Sequence, residues 1–416
     1  MRIAYVCCDR GVPIFGRKGA SVHVRELCRA LGDAGHEVLI VAPRAGGRRP
    51  DDFHATLAEL TLEPEDEAAC SFIADDDAAG PAAAREVRSL VYSAGLRFRL
   101  MSLLRDFGAD VVYERYALFA TAGASAARAL AVPHILEINA PLSQEQAVHR
   151  GLAFAHAARE LERATLRGAD RVIAVSRGVA AWAAGSGIEP TRLLVLPNAV
   201  DPARFDVGRA ERAATRAHLG VGDAPVIGFL GTLKPWHDVA ALIRATARLV
   251  HAGLRARLVV IGEGPERPRL EALVQAEGVG ALTTFVGAVA HDDVPRYLSA
   301  LDVAAVTYDA EPGFYFSPLK LFEYLAAARP VVAAAAGDIA HCIRDGVTGL
   351  LYPPGDVRAL ADALLALISD SERAERLARA GREHVRAHHT WAGNAHTVVA
   401  VAEAAAHERV GEAAWV

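Results

Sequence analysis

Apolar runs of strand length alternate with longer amphipathic segments along nearly the whole chain, and no other feature narrows the accessible folds as much. This alternation is the mark of βαβ units, which assemble into parallel sheets covered by helices, so an α/β fold is expected. In the first half, strands are expected near 3–8, 38–42, 111–113, 134–138, 172–175 and 194–196. Helices are expected at 21–34, 85–107, 118–130 and 146–167. Residues 50–84 break the rhythm: they carry Glu63, Glu65, Asp66, Glu67 and Asp75 to Asp77 with little periodicity, and read as a surface insertion.

Prolines and turn formers interrupt the pattern at PNAVDPARFD (197–206), and a second series begins at Val226. Its strands are expected at 226–230, 258–261, 283–286, 303–306, 331–333 and 349–352. Its helices include 237–252, 266–277, 318–327 and 357–368, followed by 371–388 and a last one from Trp391. A chain of 416 residues exceeds one ordinary core. The expected division is 1–200 and 201–390, two similar Rossmann-like halves, with 391–416 as a closing helix.

Composition removes several function classes. Hydrophobic residues make up 52% and charged residues 23% with a formal charge of -5, so the chain is globular and nucleic acid is not an expected partner. Five cysteines form no CxxC pair, which fits a reducing cytoplasm. MRIAYVCC reads as a first strand and not as a signal peptide, and no window approaches the ~20 apolar residues of a membrane span. Peripheral membrane contact is possible but not indicated. The 16 histidines show no metal-ligand spacing, so no metal site is expected. Without GxGxxG or a Walker loop, no nicotinamide, flavin or other resident cofactor is expected.

The chemistry concentrates in EPGFYFSPLKLFEYLAA, from Glu311 to Ala327. Ser317 and Pro318 suit an N-cap and a first helical residue, which would leave the amides of Leu319, Lys320 and Leu321 free. With Lys320 this helix start could hold an anion, and Glu323, nearly one turn on, could hold hydroxyls such as those of a ribose. The same residues equally fit a capped helix with a surface Lys320–Glu323 ion pair. Glycine turns follow several strands. The loop DRGVPIFGRKGAS brings Gly16 and Gly19 to a helix start; GFLGTLKPWHD brings Gly231 and Lys234; VVIGEGPE brings Gly262 and Gly264. All lie at strand carboxyl ends, where open α/β sheets bind ligands, and together they describe a rim for a phosphate-bearing molecule. EINAPLSQE places Glu137 and Asn139 on the corresponding rim of the first half, as acceptor contacts or as turn residues.

Taken in order, KGASVHVRELCRAL, ADRVIAVS, VLPNAVDPARF, GFLGTLKPWHD, VVIGEGPE, FVGAVAHDDVP and SPLKLFEYLAAARPVVA resemble the retaining family 4 glycosyltransferases of the GT-B fold. The resemblance implies two Rossmann-like domains facing across a cleft. The second would hold a nucleotide-sugar donor and the first a small-molecule or glycan acceptor, and the last helix would cross back to the first. It places Glu323 on the donor ribose, Ser317 to Leu319 on the diphosphate, Gly16 in the loop that closes over it, and Val289 at the base. Tyr315 and Phe316 fall in the same donor segment. Three positions depart from the family pattern. Tyr315 stands where a second glutamate is usual, since Glu311 is four residues too early. The usual Arg and Lys after the second domain's first strand fall on Thr232 and His237, leaving Lys234 and Lys320 as phosphate cations. The usual first-domain histidine falls on Asn139. The expected activity is metal-independent, retaining transfer of a hexose-type sugar to a hydroxyl, with Lys320, Lys234 and Glu323 as the central residues. A sugar-nucleotide epimerase or a non-catalytic sugar-nucleotide binding protein on the same fold is the alternative.

Overall fold

A computed structural model describes residues 1–75, 80–309, 315 and 317–413, with side chains to Arg409. It forms two compact units, Met1–Pro197 with Ala392–Val416, and Asn198–Trp391.

Among the described residues, the first unit carries seven parallel strands: β1 (Arg2–Cys7), β2 (Glu37–Ala42), β3 (Thr56–Glu59), β4 (Val111–Arg115), β5 (His134–Ile138), β6 (Arg171–Ala174) and β7 (Leu193–Val195), in the order β3-β2-β1-β4-β5-β6-β7. The central strands are buried on both faces, which is why they read as continuous apolar runs. The strand order reverses between β1 and β4. There, Tyr5 lies in register with Tyr113 and stacks on it at 5.3 Å.

The second unit repeats the scheme with β8 (Val226–Leu230), β9 (Arg257–Ile261), β10 (Thr283–Gly287), β11 (Val303–Val306), β12 (Val331–Ala334) and β13 (Leu350–Tyr352), in the order β10-β9-β8-β11-β12-β13. Its reversal falls between β8 and β11, whose ladder has two register pairs, Val303 with Ile227 and Ala304 with Gly228. Beyond that ladder, the amide of Leu230 is satisfied by the Tyr324 hydroxyl at 2.6 Å. A helix side chain thus completes the hydrogen bonding where the two strands stop pairing.

The closing helix Trp391–Ala413 is tied to the first sheet. Arg409 grips Asp170 through two bonds of 3.0 and 2.8 Å, and Asp170 in turn accepts from the His134 amide at the start of β5.

Two expectations need correction. The segment 50–84 is not a bare insertion: β3 adds an edge strand to β2, and helix Pro64–Ala74 follows. Both bury little (in that helix only Cys70), so no apolar period marks them. Residues 76–79 lie outside the described ones. The single helix expected at 146–167 is two, Leu142–His149 and Ala155–Gly168, separated at Gly151 with φ +76°. Buried Glu86 fixes the break by accepting from the amides of Ala153 and Phe154, each at 2.8 Å. No helix of the described residues is long and apolar enough to cross a membrane.

The glycine turns of the second unit lock together. Gly231 donates to the Ile261 carbonyl at 2.9 Å, Gly262 to Gly287 at 2.9 Å, and Leu233 to Glu263 at 3.0 Å. A Cβ on Gly262 (φ +141°) would stand 1.9 Å from the Gly231 oxygen, so glycine there is set by loop packing. Gly262→Ala is expected to destabilise the protein by about 2 kcal/mol or more in urea unfolding. Gly32→Ala, in the last turn of helix Gly19–Asp33 with open space around it, should instead stabilise by up to ~1 kcal/mol.

Candidate active site

In the second unit the site grows from the β8/β11 switch point, where doubly wound sheets open a crevice. Helix Leu319–Ala326 enters it with Lys320 to Ala326 all buried. Against the sequence expectation, Ser317 is not the N-cap. Its hydroxyl accepts from the Asn198 amide at 2.9 Å and its carbonyl from the Asn198 side chain at 2.5 Å. Pro318, in an extended conformation, takes the cap position instead, and its carbonyl engages the Leu321 amide at 3.1 Å. Leu321 is therefore not a free donor, and Leu319 and Lys320 supply the amides at the open end. Tyr315 is half-buried ahead of the helix, while Glu311 and Phe316 lie outside the described residues.

The surface ion pair between Lys320 and Glu323 does not form. Lys320 is 7% exposed, with its ammonium 4.2 Å from the centre of the Phe229 ring on β8 and 5.4 Å from that of Tyr308 just after β11. Its Nζ has no hydrogen-bond partner among the described residues. Gly231 makes room for it, since a Cβ there would come within 2.8 Å of Nζ. Burial pulls the lysine down to about 7, with Glu323 opposing only in part. Aromatic faces attract a cation but do not replace its lost hydration.

His237, which stands at the family's lysine position, bonds the Thr232 carbonyl through Nδ1 and packs edge-on to Tyr308 at 5.3 Å. Burial, then the charge of Lys320, lowers it to about 2, so it is neutral at working pH. Lys234 lies elsewhere: its ammonium is 5.6 Å from the Trp236 ring. It lines a cavity of about 240 Å³ with Asp238, Glu266, Arg269 and Asp309, whose three carboxylates share its field. Glu323 is 6% exposed, and Oε1 meets His291 Nε2 at 2.9 Å. Val289, two residues before His291, is half-buried against the core.

In the first unit, Gly16 is held by its surroundings. Arg25 donates to the carbonyls of Ile14 (3.0 Å) and Gly16 (2.6 Å), and a Cβ on Gly16 would meet Pro13 at 2.7 Å. Gly19 opens helix Gly19–Asp33 behind Lys18. Glu137, expected to touch an acceptor, is 1% exposed and fully engaged. Oε2 accepts from Tyr113 at 2.6 Å and meets His23 Nε2 at 2.7 Å; Oε1 accepts from Asn139 at 2.6 Å and Arg115 at 3.0 Å. Burial raises this carboxyl, but His23, Arg115 and Tyr113 outweigh it and hold it near about 2. Glu137 thus organises its neighbours and has no oxygen left for a ligand. Sequence reading missed His23, Tyr113 and Arg115, although a glutamate in HILEI beside an arginine in VVYER signals a buried pair, since a lone buried charge is prohibitive. It also missed Phe229, Tyr308 and His291. Among the described residues no three His, Cys, Asp or Glu side chains converge as metal ligands would.

These two doubly wound units, each with a polar cluster at its switch point, are the architecture of GT-B transferases, and comparison with known proteins agrees. Residues 17–204 match Glycosyltransferase Family 4, and residues 224–370 match Glycosyl transferases group 1. A D-inositol 3-phosphate glycosyltransferase of Geodermatophilus obscurus is 33% identical over 317 residues, 72% of this chain and 67% of its own length. An alpha-D-kanosaminyltransferase of Streptomyces kanamyceticus is 31% identical over 170 residues, covering 41% of this chain and 43% of that one. Anabaena HepE in complex with UDP-glucose superposes with a TM-score of 0.72 over 99% of this chain and 100% of that one, at 19% identity. The chain belongs to the family 4 glycosyltransferases, and its fold is GT-B.

A buried ammonium without a counter-ion costs stability, so Lys320→Met should raise the thermal unfolding midpoint. The folded lysine loses its proton near about 7 and the unfolded one near 10.5. The unfolded chain therefore binds more protons between these values, and wild-type stability climbs with pH across that window. The gain from Lys320→Met should accordingly be largest at pH 6 to 7, on the order of 2–4 kcal/mol, and shrink toward pH 10.

Proposed function

We propose that the protein is a retaining glycosyltransferase that moves a hexose-type sugar from a nucleoside diphosphate to an acceptor hydroxyl without a bound metal. One observation carries the reading: the buried ammonium of Lys320 at the β8/β11 switch point, which has no hydrogen-bond partner among the described residues. As the glycosidic bond breaks, the leaving diphosphate gathers negative charge. Lys320 and the amides of Leu319 and Lys320 would stabilise it in a site of low dielectric. Lys234 contributes less, because three carboxylates line its cavity. Glu323 would hold the ribose, with Val289 at the base and Gly231 and Tyr315 close to the diphosphate and sugar. Gly262 supports this rim by shaping its loops.

Retention follows from front-face attack, in which the leaving phosphate oxygen takes the acceptor proton, so no protein nucleophile is required. On the acceptor side Asn139, held by Glu137, takes the place of the usual histidine, and His23 and Arg115 complete the polar lining. The five cysteines are all free and buried, which fits action in the cytoplasm. HepE carries UDP-glucose, which makes UDP-sugars the first donors to test.

An epimerase would need an acid–base pair, and His291 with Glu323 is the pair in this unit that would have to serve. Incubation with a nucleotide sugar alone separates the readings: an epimerase gives an isomer, whereas a transferase releases nucleoside diphosphate on adding an acceptor. If donor binding persists but no acceptor elicits release of nucleotide, only the binding-protein reading stands. For the transferase, Lys320→Met should cut turnover at least about a hundredfold while the fold is retained.

Donor binding should also depend on pH. The diphosphate favours the charged lysine, so Kd should rise with pH above about 7, with up to one proton taken up per nucleotide bound. Calorimetry in buffers of different ionisation enthalpy reads that proton directly, and Lys320→Met should abolish its uptake.

A further inference from the structure

In the proposed donor site Glu323 holds the ribose, and its neighbour His291 has no part in the transfer itself. His291 stands in the turn His291–Asp293, just beyond β10 and two residues after Val289. Its Nε2 lies 2.9 Å from Glu323 Oε1, with side-chain exposures of 13% and 8%. Nδ1 is buried and has no partner among the described residues. The turn itself is anchored, since Asp292 pairs with Arg204 and Asp293 with Arg296.

A carboxylate that selects ribose hydroxyls must present one oxygen in a fixed direction when the ligand arrives. A free glutamate rotates about three bonds and loses that entropy on binding, whereas a bond already made to one oxygen pre-organises the other. Glu323 has this arrangement: His291 takes Oε1, and no further protein donor to Oε2 is found among the described residues. Lys320, on the same helix, faces Phe229 and Tyr308 instead.

We propose that His291 is the positioning residue of a ribose clamp. By fixing Glu323 from the loop that carries Val289, it makes recognition of the base and of the ribose hydroxyls one coupled event. The inference rests on the assignment of Glu323 to the donor ribose. It goes further by naming what confers discrimination between ribose and deoxyribose.

The test is calorimetric binding of UDP, 2′-deoxy-UDP and 3′-deoxy-UDP to the wild type, His291→Ala, His291→Gln and Glu323→Gln, with thermal unfolding to confirm that each variant is folded. GDP and ADP with their deoxy forms replace UDP if the wild type prefers another base. The wild type should prefer the ribonucleotide over one deoxy form by about tenfold or more. His291→Ala should bring that ratio to within about threefold by weakening the ribonucleotide alone. His291→Gln, whose amide can still donate to Oε1, should keep most of the preference. Equal weakening of ribo and deoxy forms in His291→Ala, or an unchanged ratio, would overturn the clamp while leaving Glu323 in place. A wild type that binds both forms equally would instead remove Glu323 from the ribose, and this inference with it.

Discussion

The ammonium of Lys320 is a charge the fold has moved out of water with no hydrogen-bond or ion-pair partner among the described residues. Burial of such a group costs several kcal/mol, and cation–π contacts return about 2 kcal/mol at best. Its surroundings explain how it is tolerated. The strands β8 and β11 pair only at Ile227 and Gly228, Tyr324 satisfies the Leu230 amide, and Gly231 leaves the volume that Nζ and its chain need. The stacked turns at Gly231, Gly262 and Gly264 hold that edge of the crevice rigid. A buried electropositive recess of this kind would gain most from an anion, and the stability forfeited by burying the charge would be returned on binding.

The corresponding switch point of the first unit follows the opposite rule. On β5, the neighbour of β4, the carboxylate of Glu137 is surrounded by four protein donors and is electrostatically closed. Such a cluster offers oriented hydrogen-bonding groups, Asn139 foremost, and little net charge. It suits the recognition of hydroxyl groups better than that of phosphate. The polar cluster of the second unit is thus suited to an anion and that of the first to neutral hydroxyl groups, the division proposed above for donor and acceptor.

Much of this was legible in the amino-acid sequence because backbone burial leaves a periodic trace. The strand expected at 134–138 is β5 residue for residue, and the helix expected at 318–327 is Leu319–Ala326. The edge strand β3 left no such trace, because only partial burial of Leu57 and Ala58 marks it. At the site, residue types were readable but their partners were not. Lys320 and Glu323 lie three apart, the spacing of a surface ion pair, yet both are buried and turn to different neighbours. Which way a helix rolls into a crevice depends on contacts from Phe229, Tyr308 and His291, dozens of residues away, and no local spacing encodes that. The replacement of the family's arginine and lysine by Thr232 and His237 becomes intelligible only when Lys320 is found packed against the same aromatic rings as His237.

A crystal structure of the protein with UDP, or with the nucleoside diphosphate it binds best, would show whether Lys320 receives the donor's diphosphate. The expected result is a phosphate oxygen about 2.7–3.0 Å from Lys320 Nζ, with a ribose hydroxyl on Glu323. A diphosphate bound away from the β8/β11 crevice, with Nζ still resting on Phe229, would contradict it.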